Sequence, residues 1–168
     1  MKTNNMQLGK TTNLQARRMF GNPKVEKNVS NDYNDYNIWT YIFMESRAFN
    51  QSDGRIMVLE FVDGKLNGYF YASSYESDAP PQNLRAKNQI NRQSSTRADV
   101  ARILGVPDGK AYSNTTLEDF HEGVGEEIWL YQQETQAVDN SIVSEKILVG
   151  FDRDGTVETI TSSKTKLN

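Results

Sequence analysis

The stretch that decides the fold is Leu8-Gly9-Lys10-Thr11-Thr12-Asn13-Leu14-Gln15-Ala16-Arg17-Arg18-Met19-Phe20-Gly21-Asn22-Pro23. A hydroxyl pair begins the helical part, and a Gly-x-Pro sequence ends it. A threonine side chain accepts a hydrogen bond from a free N–H of the first helical turn, whereas Gly21 favours a helix end and Pro23 cannot continue one. The stretch therefore predicts a short α-helix that begins at Thr11 or Thr12 and ends at Gly21.

The same arrangement occurs a second time. Ser95–Pro107 repeats the hydroxyl pair, the helical run and the Gly-x-Pro ending, and Thr96 with Asp99 predicts a capping box. Each copy is followed by Trp-x-Tyr and then by an apolar strand that ends in Phe before an Asp-Gly turn. Three landmarks in one order, found twice, indicate an internal duplication with a spacing of roughly 85–90 residues. One difference is Gln93, which stands where the first copy has Gly9. The matching later segments are Trp39–Tyr41 with Trp129–Tyr131, and Phe61–Gly64 with Phe151–Gly155.

Dense apolar runs follow each helical segment and predict β-strands. Asp63-Gly64 predicts a tight hairpin, because glycine tolerates the positive φ that such turns need. Lys24–Tyr36 and Asp108–Gly125 are polar, and we expect irregular structure there. The predicted strands are Ile38–Met44, Ile56–Val62, Leu66–Ser73, Ile128–Gln132, Lys146–Phe151 and Val157–Thr161.

Short helical turns are also predicted before each capped helix, at Met6–Leu8 and Leu84–Ile90. The predicted fold class is therefore α+β, with two tandem repeats, each a helix-turn-helix followed by an antiparallel sheet of about three to four strands. The predicted domains are residues 1–76 and 84–168, joined by a linker at residues 77–83. Two prolines in that linker favour an extended segment.

The composition excludes several classes of function. The 168 residues contain no cysteine, which rules out disulfides, thiol catalysis and thiolate metal sites. The formal net charge of −3 and the lack of a basic run argue against a nucleic-acid partner. No apolar run approaches the roughly 20 residues needed to span a bilayer. No signal segment opens this sequence, so we expect any export leader to lie outside it.

Polar residues that could carry chemistry also have ordinary structural interpretations. His121 lies in a polar loop without a nucleophile motif or a second imidazole around it. Asp152–Gly155 opens with the spacing of a calcium loop, but Ser163 stands where the bidentate Glu would be needed. Glu126 and Glu127 are adjacent, so a strand would direct them to opposite faces.

One more motif, Gly9-Lys10-Thr11, is similar to the end of a phosphate-binding loop. The upstream glycine and the preceding strand of such a loop are missing. The sequence thus offers no constellation for catalysis. We predict that the protein is not an enzyme, has no catalytic residue and no metal site, and needs no cofactor.

Aromatic side chains are the remaining feature of the sequence that could indicate a function. Trp39 with Tyr41, and Trp129 with Tyr131, share a strand face by alternation, as do Tyr69 and Tyr71. Tryptophan and tyrosine are enriched among interface anchors and tolerate half-exposed positions. One interpretation is that these rings form the helix-facing core, and the other is that they bind a partner protein. The candidate partner-binding residues are Trp39, Tyr41, Tyr69, Tyr71, Trp129 and Tyr131.

The order of motifs in this chain resembles the small outer-membrane assembly lipoproteins of the SmpA/OmlA (BamE) type. These motifs are Gly-Lys-Thr-Thr before a short helix, then Gly-x-Pro, Trp-x-Tyr and a closing Phe-x-Asp-Gly hairpin. The tandem arrangement resembles inhibitors of the β-lactamase inhibitory protein type, which are built from two such units. The resemblance covers roughly residues 6–73 and 84–161. It departs from the pattern at Gln93, in the longer second insertion, and in lacking the lipid-anchoring cysteine.

The resemblance implies two functions. The first is a non-enzymatic protein-binding module of the bacterial cell envelope, in the soluble part of a lipoprotein with a scaffold or assembly role. The second is a secreted or periplasmic inhibitor or immunity-type protein that blocks an enzyme with its concave sheet face. Both imply a protein partner and a periplasmic or outer-membrane-associated, exported location. Membrane attachment would then require a lipid anchor that this sequence lacks.

Overall fold

A computed structural model of the chain describes residues 6–46, 52–78, 81–136 and 139–167. The chain forms two compact units. The first comprises Met1–Ala79 with Thr115–Leu117, and the second comprises Pro80–Asn114 with Glu118–Asn168. Residues 79 and 80 of the predicted linker lie outside the described part.

Each unit contains one α-helix and four β-strands among its described residues. The elements of the first unit are α1 (Asn13–Phe20), β1 (Val25–Ser30), β2 (Asp35–Ser46), β3 (Ser52–Val62) and β4 (Lys65–Ser73), with a 3-10 turn at Glu76–Asp78. Those of the second are a 3-10 helix at Leu84–Gln89, α2 (Arg97–Leu104), β5 (Gly109–Tyr112), a 3-10 turn at Glu118–Phe120, β6 (Glu127–Gln136), β7 (Ile142–Phe151) and β8 (Val157–Leu167).

The strands of each unit pair in chain order, β1-β2-β3-β4 and β5-β6-β7-β8, and are antiparallel. The two-residue turn predicted at Asp63-Gly64 joins β3 to β4, with φ of 49° and 72° at its two residues. Positive φ at both central residues is the requirement of a type I′ hairpin, which follows the twist of the flanking strands.

The predicted α+β class with helix-turn-helix repeats is wrong, because the chain is mostly antiparallel sheet with only short helices. The expected leading turn of the first repeat is a hydrogen-bonded loop, and that of the second is a 3-10 helix at Leu84–Gln89. The polar segments predicted as irregular contain β1 and β5. β1 lies at the edge of its sheet and is exposed along most of its length, so burial imposed no apolar pattern on it.

The two capped helices occur as predicted. Thr12 caps α1 and Thr96 caps α2, and each forms a capping box with the residue three positions later. Gly21 and Gly105 end the helices with φ of 80° and 90°. Such positive φ strains a residue that has a Cβ atom, which is why glycine is favoured there.

The two units repeat the same contacts around these helices. Tyr41 Oη donates to the Gly21 carbonyl at 3.1 Å, and Tyr131 Oη donates to the Gly105 carbonyl at 3.3 Å. Gln93, which replaces the glycine of the first copy, adopts a φ of 65° where Gly9 has 69°. Their N–H groups donate to equivalent carbonyls, those of Val157 and Leu66 respectively. The side chain therefore changes at this position while the backbone conformation is retained.

Each helix covers one face of its sheet, which we call the inner face. In the first unit, Trp39 packs on Phe61 with ring centroids 4.9 Å apart, and in the second Trp129 packs on Phe151 at the same separation. These rings belong to separate apolar cores. The first core consists of Met6, Ala16, Trp39, Tyr41, Met57, Leu59, Phe61, Leu66 and Tyr69. The second consists of Leu84, Ile90, Val100, Leu104, Trp129, Tyr131, Ile147, Val149, Phe151 and Val157.

Candidate functional site

The aromatic residues proposed for partner binding lie on the inner faces. Trp39 and Trp129 are only 3% and 5% exposed, and Tyr41, Tyr69 and Tyr131 are also buried. Their burial matches the interpretation of these rings as the helix-facing core, because the α-helix of each unit packs on this face and excludes water from it. A direct role of these rings in partner binding stays a prediction.

Tyr71, the sixth of those residues, is partly buried at the margin of the first core. Its hydroxyl donates to Asp78 Oδ2 at 2.9 Å, and Arg55 forms an ion pair with the same carboxylate. The hydrogen bond from Arg55, with others from Ser73 and Tyr71, holds the pKa of Asp78 well below its usual range. The guanidinium of Arg55 also stacks on the Tyr75 ring at 4.1 Å. This cluster fixes the turn after β4 and leaves its charged groups paired.

The opposite face of the first sheet, which we call the outer face, carries apolar side chains at one end that no described element of the first unit covers. Ile42 is 44% exposed, Met44 73% and Ile56 38%. Strand pairing places Ile42 opposite Ile56 and Ile56 opposite Ala72, while Val58 lies opposite Phe70. We call these residues the apolar outer surface. It consists of Ile42, Met44, Ile56, Val58, Phe70 and Ala72.

The second unit carries polar residues at the equivalent positions. Because Trp39 corresponds to Trp129, the register of the strands assigns Gln132 to the place of Ile42 and Lys146 to that of Ile56. Of the six equivalents, only Leu148 is apolar. The equivalent residues, in the order used above, are Gln132, Glu134, Lys146, Leu148, Thr161 and Ser163.

The other end of the outer face of the first unit is covered by residues 115–117, which pack with that unit. They enclose the carboxylate of Glu60, which is fully buried. Thr115 Oγ1 and the Thr116 N–H each donate to this carboxylate at 2.8 Å, and Asn67 Nδ2 donates at 2.7 Å. The Thr116 hydroxyl donates to it as well. A buried carboxylate needs such donors, so this cluster has a structural role.

The residues weighed for catalysis or metal binding have structural contacts or lie at the surface. His121 is exposed, and its backbone N–H donates to the Glu118 carbonyl in a turn. Asp152 accepts the Thr156 N–H at 2.8 Å and so closes the hairpin before β8. Glu127 accepts the Trp129 indole N–H at 2.6 Å.

Within the described residues, no group of three or more His, Asp or Glu side chains could hold a metal ion. Among the same residues, no helix has the length and apolar character needed to cross a membrane.

No protein-family model and no curated protein matches the sequence. A solved structure with a similar fold is described as a "putative beta-lactamase inhibitor protein" from Streptococcus mutans. It shares 10% identity over 97% of this chain and 88% of that chain, with a TM-score of 0.49. Likeness at this level carries no argument about function. The resemblance to BamE-type lipoproteins stays a prediction.

Sequence reasoning missed the apolar outer surface, although a signal for it was present. Ile42 and Met44 alternate with core residues along one strand, and Ile56 and Val58 do the same along the next. A strand with apolar residues on both faces is typical of a sheet covered on both sides. In the first unit no covering element lies over this part of the outer face among the described residues.

Proposed function

We propose that this protein is a non-enzymatic protein-binding module, and that its first unit binds its partner through the apolar outer surface. The observation that carries the proposal is the exposure of Ile42, Met44 and Ile56. The second unit builds the same strand pattern with polar residues at these positions, so the fold itself does not require apolar ones. Contiguous exposed apolar side chains mark interaction sites on proteins.

The proposal that the protein is not an enzyme is supported by the contacts of its polar residues. Glu60, Asp78 and Glu127 are held by hydrogen bonds or ion pairs inside their own units. Such contacts stabilise the fold. No cofactor is needed for binding through an apolar surface.

Two settings for this binding activity remain as proposals. On the resemblance to BamE-type lipoproteins, the chain is an exported envelope protein with a scaffold role. On the resemblance to two-unit inhibitors, it blocks an enzyme through a sheet face. The sheet face expected for inhibition was the aromatic one, which is buried, whereas the apolar outer surface is an open sheet face that either function would use.

Site-specific photo-crosslinking tests the proposal. We would place p-benzoylphenylalanine at Ile42 in the full chain, produce it in its native cells and irradiate. The matched control carries the same label at Gln132, the equivalent position of the second unit. We expect a discrete protein adduct from position 42 that is lost when Ile56→Asp is added. Far-UV circular dichroism would check that the variants fold.

The outcome separates the alternatives. An adduct with a non-enzymatic envelope protein supports the scaffold role. An adduct with an enzyme whose activity falls when the purified chain is added supports the inhibitor role. Absence of an adduct at position 42, or the same adduct at position 132, would show that the apolar outer surface is not the binding site.

A further inference from the structure

A second surface feature lies on the helix side of the first unit. A shallow groove of about 360 Å³ runs between the loop before α1 and the helix itself. Five of its six lining residues have polar or charged side chains, and apolar atoms, including those of Met19, form most of the lining surface. The groove residues are Gln7, Lys10, Thr11, Gln15, Arg18 and Met19. We call it the basic groove.

The two cationic side chains of the basic groove lack an acidic partner among the residues that the structure describes. Lys10 and Arg18 are both exposed, and neither forms an ion pair with any described residue. The neighbouring Arg17, by contrast, pairs with Glu26 at 3.3 Å. Two cations at the margin of one concave surface therefore present unneutralised charge, which favours an anionic ligand.

A glutamine side chain of the groove is already oriented. Gln15 Oε1 accepts the Thr12 N–H at 2.8 Å as part of the capping box of α1. Since the amide oxygen is fixed on Thr12, the amide nitrogen of Gln15 is directed away from the cap and can donate to a ligand. An amide donor beside two cations suits a carboxylate oxygen.

Backbone groups do not form this site. The N–H groups of Gly9, Lys10 and Thr11 donate to carbonyls within the first unit. The Asn13 N–H donates to the Gly64 carbonyl in the same way. The phosphate-loop likeness of Gly9-Lys10-Thr11 therefore has no counterpart in the structure, and recognition in the groove would come from side chains.

In the second unit, the arginine at the position equivalent to Arg18 has its charge neutralised by an acidic neighbour. The alignment of the two capped helices matches Arg18 with Arg102 and Gln15 with Asp99. Arg102 pairs with Asp99 at 3.1 Å. Ser94 stands in place of Lys10. The fold thus accommodates a neutral surface here, and the positive charge is particular to the first unit.

We propose that the basic groove binds an acidic segment of the protein partner, with Lys10 and Arg18 contacting Asp or Glu carboxylates and Gln15 donating a hydrogen bond. This inference rests on the proposed protein-binding function and adds a charged contact on the opposite side of the sheet from the apolar outer surface. A cationic pair of this kind also raises the association rate of an anionic partner and fixes its orientation.

The test is fluorescence anisotropy of a labelled hexaglutamate peptide with the full chain. We expect Lys10→Gln with Arg18→Gln to weaken binding about tenfold or more, because charge-assisted contacts are lost. The matched control, Lys24→Gln with Lys27→Gln, removes the same charge from exposed lysines outside the groove and should weaken binding less than about twofold. All four residues are exposed, so melting temperatures should stay unchanged.

Each other outcome would overturn the proposal. Equal weakening in both double variants would show attraction by net charge alone. Equal binding of a hexaglutamine peptide would show that carboxylates are not recognised. Displacement of the peptide by inorganic phosphate at lower concentration than by free glutamate would assign the groove to a small anion. A failure here leaves the crosslinking result at position 42 intact, so the two proposals fail separately.

Discussion

Replacement of Glu60 by alanine tests whether the segment at residues 115–117 is held on the first unit by one buried carboxylate. That carboxylate accepts hydrogen bonds from Asn67, Thr115 and Thr116, the last through both its N–H and its hydroxyl. Glu60→Ala removes this acceptor from all of these donors at once, at a position where Glu60 and Asn67 are buried and Thr115 and Thr116 are half-buried.

The magnitude follows from the number of donors left without an acceptor. An unsatisfied buried donor costs about 1–3 kcal/mol. The backbone N–H of Thr116 cannot turn away, whereas the hydroxyls of Thr115 and Thr116 can reorient toward other acceptors. Counting the N–H and the Asn67 amide as lost, we expect Glu60→Ala to lower the free energy of unfolding by about 3–5 kcal/mol. Glu60→Gln keeps one acceptor oxygen and should cost about 2 kcal/mol.

Urea denaturation measures the loss, and amide hydrogen exchange at Thr116 locates it. The matched control is Glu26→Ala, which removes an exposed carboxylate paired with Arg17 and should cost less than about 1 kcal/mol. The reasoning is refuted if Glu60→Ala is no more destabilising than the control. It is refuted equally if the Thr116 amide keeps its protection in that variant.

Two further comparisons use the repeated structure as its own control. Gly21→Ala should cost about 1–3 kcal/mol, because only its backbone conformation, with φ 80° and ψ −158°, is strained, whereas Gly105→Ala should cost about 1–3 kcal/mol more, because its Cβ would also lie 1.8 Å from a backbone carbonyl oxygen. Thermal melting that gives equal losses at the two helix ends would contradict this. Trp129→Phe should cost about 1–2 kcal/mol more than Trp39→Phe. It breaks a partly buried hydrogen bond of 2.6 Å to Glu127, while the Trp39 indole N–H has no partner among the described residues. Equal urea midpoints for the two phenylalanine variants would disprove that difference.

The parts of the fold that sequence predicted correctly depend on local physics. The caps at Thr12 and Thr96, the helix ends at Gly21 and Gly105, and the Asp63-Gly64 turn all involve residues within a few positions of one another. Their side chains accept hydrogen bonds from nearby backbone N–H groups, or their backbone adopts the conformation that a tight turn needs. Such signals can be read without knowledge of what packs against them.

The strands β1 and β5, which were not predicted, show that local sequence patterns do not identify every strand. Val25–Ser30 contains polar residues at most positions and looks like a loop, yet it pairs along its whole length with β2. An edge strand gains its hydrogen bonds from its neighbour and needs no buried face. The formation of β1 therefore depends on its pairing with β2, and the sequence of β1 alone does not reveal that pairing.

The location of the candidate site depends on which face of the first sheet is covered by α1 and which is exposed to solvent. Alternation alone established that Trp39 and Tyr41 share a face, as do Ile42 and Met44 on the other. It could not say which face α1 would cover. Tertiary packing placed α1 against the aromatic face and left one end of the aliphatic face exposed, so the aromatic residues, for which a core and a partner-binding interpretation were both open, form the core of the first unit. The sequence by itself thus determined the caps, turns and paired faces, because these are local. Only the tertiary structure decided which face meets water, since burial depends on contacts between residues distant in the chain.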